Sequence, residues 1–110
     1  MQRWNLLELE APDGTRDPIV LHSDNGARAV LLVLSPGQSL GDHQVRENAW
    51  VLVIDGSVQL SSDDGAVDAG PGTLTRFEPG ERHALVSADG ARVLLVLAPW
   101  PAEGHYPATA

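Results

Sequence analysis

Residues 37–56 read GQSLGDHQVRENAWVLVIDG. A polar stretch with one histidine, His43, runs into the apolar AWVLVI and stops at Asp55-Gly56. Valine, leucine and isoleucine crowd the second half. No helical period of ten residues survives between the breakers on either side, so the segment reads as a buried strand. The stretch poses one chemical question: His43 either helps to hold a metal ion or lines a pocket that has none.

The same pattern repeats on both sides. Strands are predicted at Leu6–Leu9, Ile19–His22, Ala27–Leu34, Gly41–Val45, Ala49–Ile54, Ser57–Ser61, Ala66–Asp68, Thr73–Phe77, His83–Ser87 and Arg92–Ala98. Between them stand turn residues such as Pro12-Asp-Gly14, Asp24-Asn-Gly26, Ser35-Pro-Gly37, Gly70-Pro-Gly72 and Pro79-Gly80. Asp55-Gly56, Asp63-Asp-Gly65 and Asp89-Gly90 are expected to close hairpins, because tight hairpin turns need positive φ. Many short strands at this spacing predict an all-β antiparallel sandwich or barrel. At 110 residues the chain is expected to be a single domain, with its core at about 19–98 and an irregular tail at 99–110. Trp100 and Tyr106 of that tail are expected to pack back on the body or on a partner subunit.

Composition removes several chemistries. Cysteine is absent, which excludes disulfides, thiolate ligands and cysteine nucleophiles. Any metal would sit on nitrogen and oxygen ligands. The seven basic residues are all arginine, so lysine Schiff-base chemistry is excluded too. A net charge of −8 with no basic stripe argues against nucleic acid as a partner, and against an anionic membrane surface. No apolar run reaches the roughly 20 residues of a bilayer span. The first residues, MQRWNLLELE, hold no apolar signal region, and a cytoplasmic location is expected. No serine sits in a nucleophile-elbow context, and no glycine loop has phosphate-binding spacing.

Two half-motifs carry the chemistry. The first is Gly37-x5-His43-x-Val45, running on to Asp55-Gly56; the second is Gly72-x5-Glu78-Pro79-Gly80-x2-His83-x3-Ser87. Together they resemble the cupin family, whose motifs are written G-x5-H-x-H-x3,4-E-x6-G and G-x5-P-x-G-x2-H-x3-N. The resemblance implies a small single-domain antiparallel jelly-roll β-barrel. It also implies a metal held by three histidines and a glutamate. Histidines two apart on a strand share a face and can reach one ion.

Here the first and last histidines of the family stand at His43 and His83. Val45 occupies the second histidine position and Ala49 the glutamate position. Two of the family's four ligands are therefore missing, and the first motif is degenerate. Glu47 offers a substitute. On a straight strand His43, Val45, Glu47 and Ala49 share one face, and His43, Glu47 and His83 would supply two imidazoles and a carboxylate. Such a set suits Fe, Mn, Ni or Zn. A bulge in this stretch would break that parity. The alternative is a metal-free pocket lined by His43, Val45, Glu47, Ala49 and His83.

Other residues carry less. His22 reads as a surface residue at a strand end, and His105 as a tail residue. Trp50 is expected in the core or a dimer interface, and Arg76 and Arg92 in salt bridges at the rim. Glu78 and Glu81 read as solvated. The apolar strands LVL and VLLVLA predict a homodimer. Three functions follow: a protein binding a small molecule in its pocket, a metal-dependent oxygenase- or isomerase-like enzyme, or a ligand-sensing module.

Overall fold

The computed structural model describes residues 1–10 and 18–104, with Asp42 and His43 described by their backbone alone. The turn at Pro12-Asp-Gly14, His105 and Tyr106 lie outside the described residues. Among the described residues the strands are β1 (Ile19–Ser23), β2 (Arg28–Leu34), β3 (Ser39–His43), β4 (Asn48–Gly56), β5 (Val58–Ser62), β6 (Gly65–Ala69), β7 (Leu74–Phe77), β8 (His83–Val86) and β9 (Ala91–Ala98). They form a five-stranded sheet ordered β1-β2-β9-β4-β7 and a four-stranded sheet ordered β3-β8-β5-β6. Every pairing is antiparallel. From β2 on, the chain crosses between the sheets at most connections, and this order is that of a jelly roll. No helix among the described residues is long and apolar enough to cross a membrane.

Period-two burial builds the core. In β4, Ala49, Val51 and Val53 are buried while Trp50 is exposed. Val93 and Leu97 of β9 and Leu32 and Leu34 of β2 face the same interior. From the other sheet come Val58, Leu60 and Leu85. Each fully buried side chain of this size contributes about 1.5–3 kcal/mol relative to exposure.

The crossings overturn two expected hairpins. Asp63-Asp64 does close one, with Ser62 paired to Gly65. Asp55-Gly56 and Asp89-Gly90 instead turn corners between sheets: β4 pairs with β7 and β9, and β8 with β3 and β5. An Asp-Gly pair specifies a turn but not the partner of the strand that follows. The other hairpin is β1–β2. There Asp24 Oδ1 accepts the N–H groups of Gly26 at 2.8 Å and Ala27 at 3.2 Å, and His22 Nε2 donates to Asp24 Oδ2 at 2.8 Å. These bonds, the histidine's first, hold the Asp24 carboxyl below the usual carboxylate range. His22 is thus a surface residue, as expected.

The predicted strand Leu6–Leu9 is a turn. Asn5 O accepts from the N–H groups of Glu8 and Leu9, and Asn5 Oδ1 accepts from Leu7 N. A side-chain amide that satisfies nearby backbone competes with a sheet ladder. Arg92 then grips the turn, its Nη1 donating to Leu6 O at 2.9 Å and Leu9 O at 2.6 Å. Arg92 is therefore a clamp on backbone carbonyls rather than a salt-bridge residue. The tail folds back as expected of Trp100. Its N–H donates to Gly26 O at 3.1 Å, its ring lies 5.0 Å from the Arg28 guanidinium, and it packs against the core.

Gly56 sits at a sheet corner with φ +76°, where a Cβ would overlap the Gly90 carbonyl oxygen. Gly37 has a similar φ of +84° with nothing near its absent Cβ. Gly56→Ala is expected to cost more than the roughly 1–3 kcal/mol of left-handed strain that Gly37→Ala pays. Thermal unfolding of both variants checks the order; equal losses would show that the corner yields freely.

Candidate functional site

The polar stretch with His43 does not run straight into β4. β3 ends at His43 and β4 begins at Asn48, in different sheets. Gln44–Glu47 cross between them, and β3 shifts register between Leu40 and His43. The straight-strand parity expected of His43, Val45, Glu47 and Ala49 is thus broken, because the chain must turn a corner here. The expected neighbourhood nonetheless forms in part. Glu47 and Ala49 are each 0% exposed, and Val45 packs against the core. The backbone of His43 pairs with that of His83 in the β3–β8 ladder. Its side chain lies outside the described atoms.

Two hydrogen bonds bind this crossing to the turn before β8. Gly80 N–H donates to Val45 O at 2.8 Å, and Gln44 Nε2 donates to Gly80 O at 2.9 Å. They bring the segment of Glu47 beside that of His83. Glu47 Oε2 accepts the Ala102 N–H at 2.8 Å, so the tail is strapped across this end of the interior. His83 is 1% exposed and stacks on Phe77, with ring centroids 4.4 Å apart and planes 13° from parallel. Its Nδ1 lies 3.1 Å from Glu81 O. A carbonyl only accepts, so Nδ1 carries the proton, and in the neutral ring Nε2 bears the lone pair. Among the described residues no three of His, Cys, Asp and Glu gather into a group able to hold a metal. The His43 side chain falls outside that set.

The accessible interior lies on the other side of Phe77. β6 and β7 end the two sheets next to one another in sequence. Val67 of β6 pairs with Leu60 of β5, so both face inward. Leu60 is 2% exposed but Val67 is 60% exposed. The sheets gape along this edge. A cavity of about 290 Å³ opens there, with Leu60 and Phe77 as its floor, Val67 and Thr75 on its walls, and Asp64, Arg76 and Glu81 at its mouth. Sequence reasoning did not single out Leu60, Val67 or Phe77, which line this cavity. Their inward parity is visible in the strand pattern, but which two strands would end the sheets is not.

The remaining candidates fall on the surface. Trp50 is 40% exposed on the outer face, not in the core, since alternation from Ala49 turns it outward. Arg76 bonds Asn48 Oδ1 at 2.9 Å and lies 3.6 Å from Glu78 Oε1, the rim pairing expected of it. Glu81 is only part-exposed, and its Oε1 accepts the Glu78 N–H at 3.0 Å.

Comparison with known proteins bears on the family and the fold. The cupin domain family profile matches residues 30–98. The search of curated proteins finds no match. Among solved structures, an RmlC-like cupin protein from Desulfovibrio desulfuricans aligns with a TM-score of 0.81 at 22% identity, covering 90% of this chain and 97% of that one. A cupin superfamily protein from Desulfitobacterium hafniense gives 0.78 at 16% identity, covering 84% and 85%. A Klebsiella pneumoniae protein with a double-stranded β-helix domain gives 0.78 at 20%, covering 93% of each.

Glu47→Ala removes the acceptor for Ala102 N–H, whereas Glu47→Gln keeps one. The alanine variant is expected to lose about 1–3 kcal/mol and the glutamine variant less. Amide exchange at Ala102 should accelerate in step. Unchanged exchange in Glu47→Ala would show that something else holds the tail.

Proposed function

The chain belongs to the cupin family, and from that premise we propose that it binds a small organic molecule between its sheets, without a complete family metal site. The observation that carries this reading is Val67, an inward-facing apolar residue left 60% exposed over a floor of Leu60 and Phe77. An open apolar interior with a few polar groups at its mouth is the usual form of a small-molecule site. The family's metal positions support the same reading. Val45 and Ala49 stand at two of them, and both pack into the core instead. Val45, Glu47, Ala49 and His83 then form the inner wall behind Phe77.

One observation favours a second reading, a metal-dependent enzyme of oxygenase or isomerase type on His43, Glu47 and His83. The Nδ1–H of His83 donates to the Glu81 carbonyl, the second bond that usually orients a metal-binding imidazole. Glu47, buried at the crossing before β4, would supply the carboxylate. A divalent ion there would supply Lewis acidity or redox chemistry. Either reading also serves a ligand-sensing module, which would pass the binding event to a partner.

A second copy is the proposed partner. The apolar strands that predicted a dimer, β2 and β9, are interior strands of their sheet, so edge exposure is not the reason. The outer face supplies a better one. Leu74 and Leu52 pair across β4–β7 and Trp50 lies beside them, with Leu74 58% and Trp50 40% exposed. A two-fold dimer would bury this patch against itself.

Two measurements test these readings. Elemental analysis after incubation with Fe(II), Mn(II), Ni(II) or Zn(II) is expected to find no stoichiometric metal. About one ion per chain, lost in His43→Ala and Glu47→Ala, would replace the first reading with the second. Light scattering is expected to give twice the chain's 11.7 kDa, falling to the monomer in Leu74→Asp. A monomer mass for the unaltered protein would remove the dimer.

A further inference from the structure

We propose that the occupant of the β6–β7 cleft is a small amphipathic cation, an amine joined to an apolar or aromatic body. The inference rests on the cleft being the binding site and adds the chemical class of its ligand.

The cavity selects the body. Its floor is Leu60 and Phe77 and its outer wall is Val67, so most of what an occupant would touch is carbon. At about 290 Å³ the cavity is at the small end of ligand sites, enough for one ring and a short chain. An aromatic group there would meet the Phe77 ring, which His83 braces from within.

The mouth selects the charge. Asp64 and Glu81 stand at it, and the depression beyond adds Asp63 and Glu78. Among the described residues lining both, Arg76 is the one cation. Its guanidinium is already engaged: Asn48 Oδ1 is 2.9 Å away, Glu78 Oε1 is 3.6 Å away, and the Trp50 ring centre on the outer face is 5.9 Å away. Glu81 is held in place by the Glu78 N–H at 3.0 Å, so its charge needs no reordering to meet a ligand. A net charge of −8 on the chain adds a field of the same sign. A carboxylate or phosphate ligand would meet repulsion at this mouth. A bare metal ion would find too few oxygens inside it, because the walls are apolar.

Three probes with one ring and different heads test the class: phenethylamine, 2-phenylethanol and 3-phenylpropionate. The readout is the methyl chemical shifts of Val67 and Leu60, titrated at low and high salt. Phenethylamine is expected to bind tightest and to weaken with salt. Asp64→Asn with Glu81→Gln should weaken it about threefold to fivefold per carboxylate, with 2-phenylethanol unaffected. Asp64→Asn alone, at an exposed position, serves if the double variant unfolds. Val67→Trp should fill the cleft and abolish binding of both. If the alcohol or the carboxylate binds as tightly as the amine, the charge inference fails and the cleft stands. If none of the three moves the Val67 or Leu60 methyls, the cleft itself fails as a site, and the inference with it.

Discussion

The pairing of β4 with β9 at the centre of the five-stranded sheet governs the rest of the molecule. Its register sets Ala49 against Leu97, Val51 against Leu95 and Val53 against Val93. A slip of one residue would turn Trp50 and Leu52 inward and the core valines out. β7 reads its own register from the other edge of β4, so Phe77 lies opposite Ala49 and faces the interior. There it meets His83, delivered by β8 of the opposite sheet. One ladder thus places the cleft floor and, through the stack, the histidine behind it.

The two sides of the interior differ for local reasons. At the β3–β4 crossing, one backbone and one side-chain hydrogen bond to the β7–β8 turn and the tail on Glu47 close the space. Beside the Asp63-Asp64 tip of the β5–β6 hairpin, the pair on the same face as Leu60 and Val67 is Ser62 and Gly65. Such small residues cannot fill the gap between two sheet edges, and among the described residues β6 pairs with β5 alone. The opening is a consequence of side-chain size at a sheet edge. It needs no movement of the sheets.

Much of the fold was legible because alternation and turn residues are local signals. The strands between Ile19 and Ala98 follow directly from them. Local signals fail where the outcome depends on a distant partner. Asp55-Gly56 and Asp89-Gly90 look like hairpins yet turn corners, since the strands they join find partners far along the chain. Leu6–Leu9 has a strand's composition, but Asn5 captures its backbone first. Arg92 found carbonyls, not a carboxylate. The burial of Glu47 was legible only in outcome: strand parity predicted it, but a crossing between sheets produces it. The cleft had no signal of its own, because it exists only where β6 and β7 become edges.

The interior also bears on the proposed loss of the family's metal site. Ala49 stands where a glutamate would be, and across the ladder from it is Phe77, also facing inward. Side chains directly opposed on one face of an antiparallel pair sit close enough that their volumes must be shared. A small residue at 49 leaves room for the Phe77 ring, and the ring in turn holds His83 by stacking. A longer acidic side chain at 49 would compete with that ring and would bring charge into a wall of carbon. The losses at Val45 and Ala49 are therefore not isolated. On the proposed metal-free reading they belong to an interior where apolar packing and one aromatic stack orient the residues that a metal would otherwise hold.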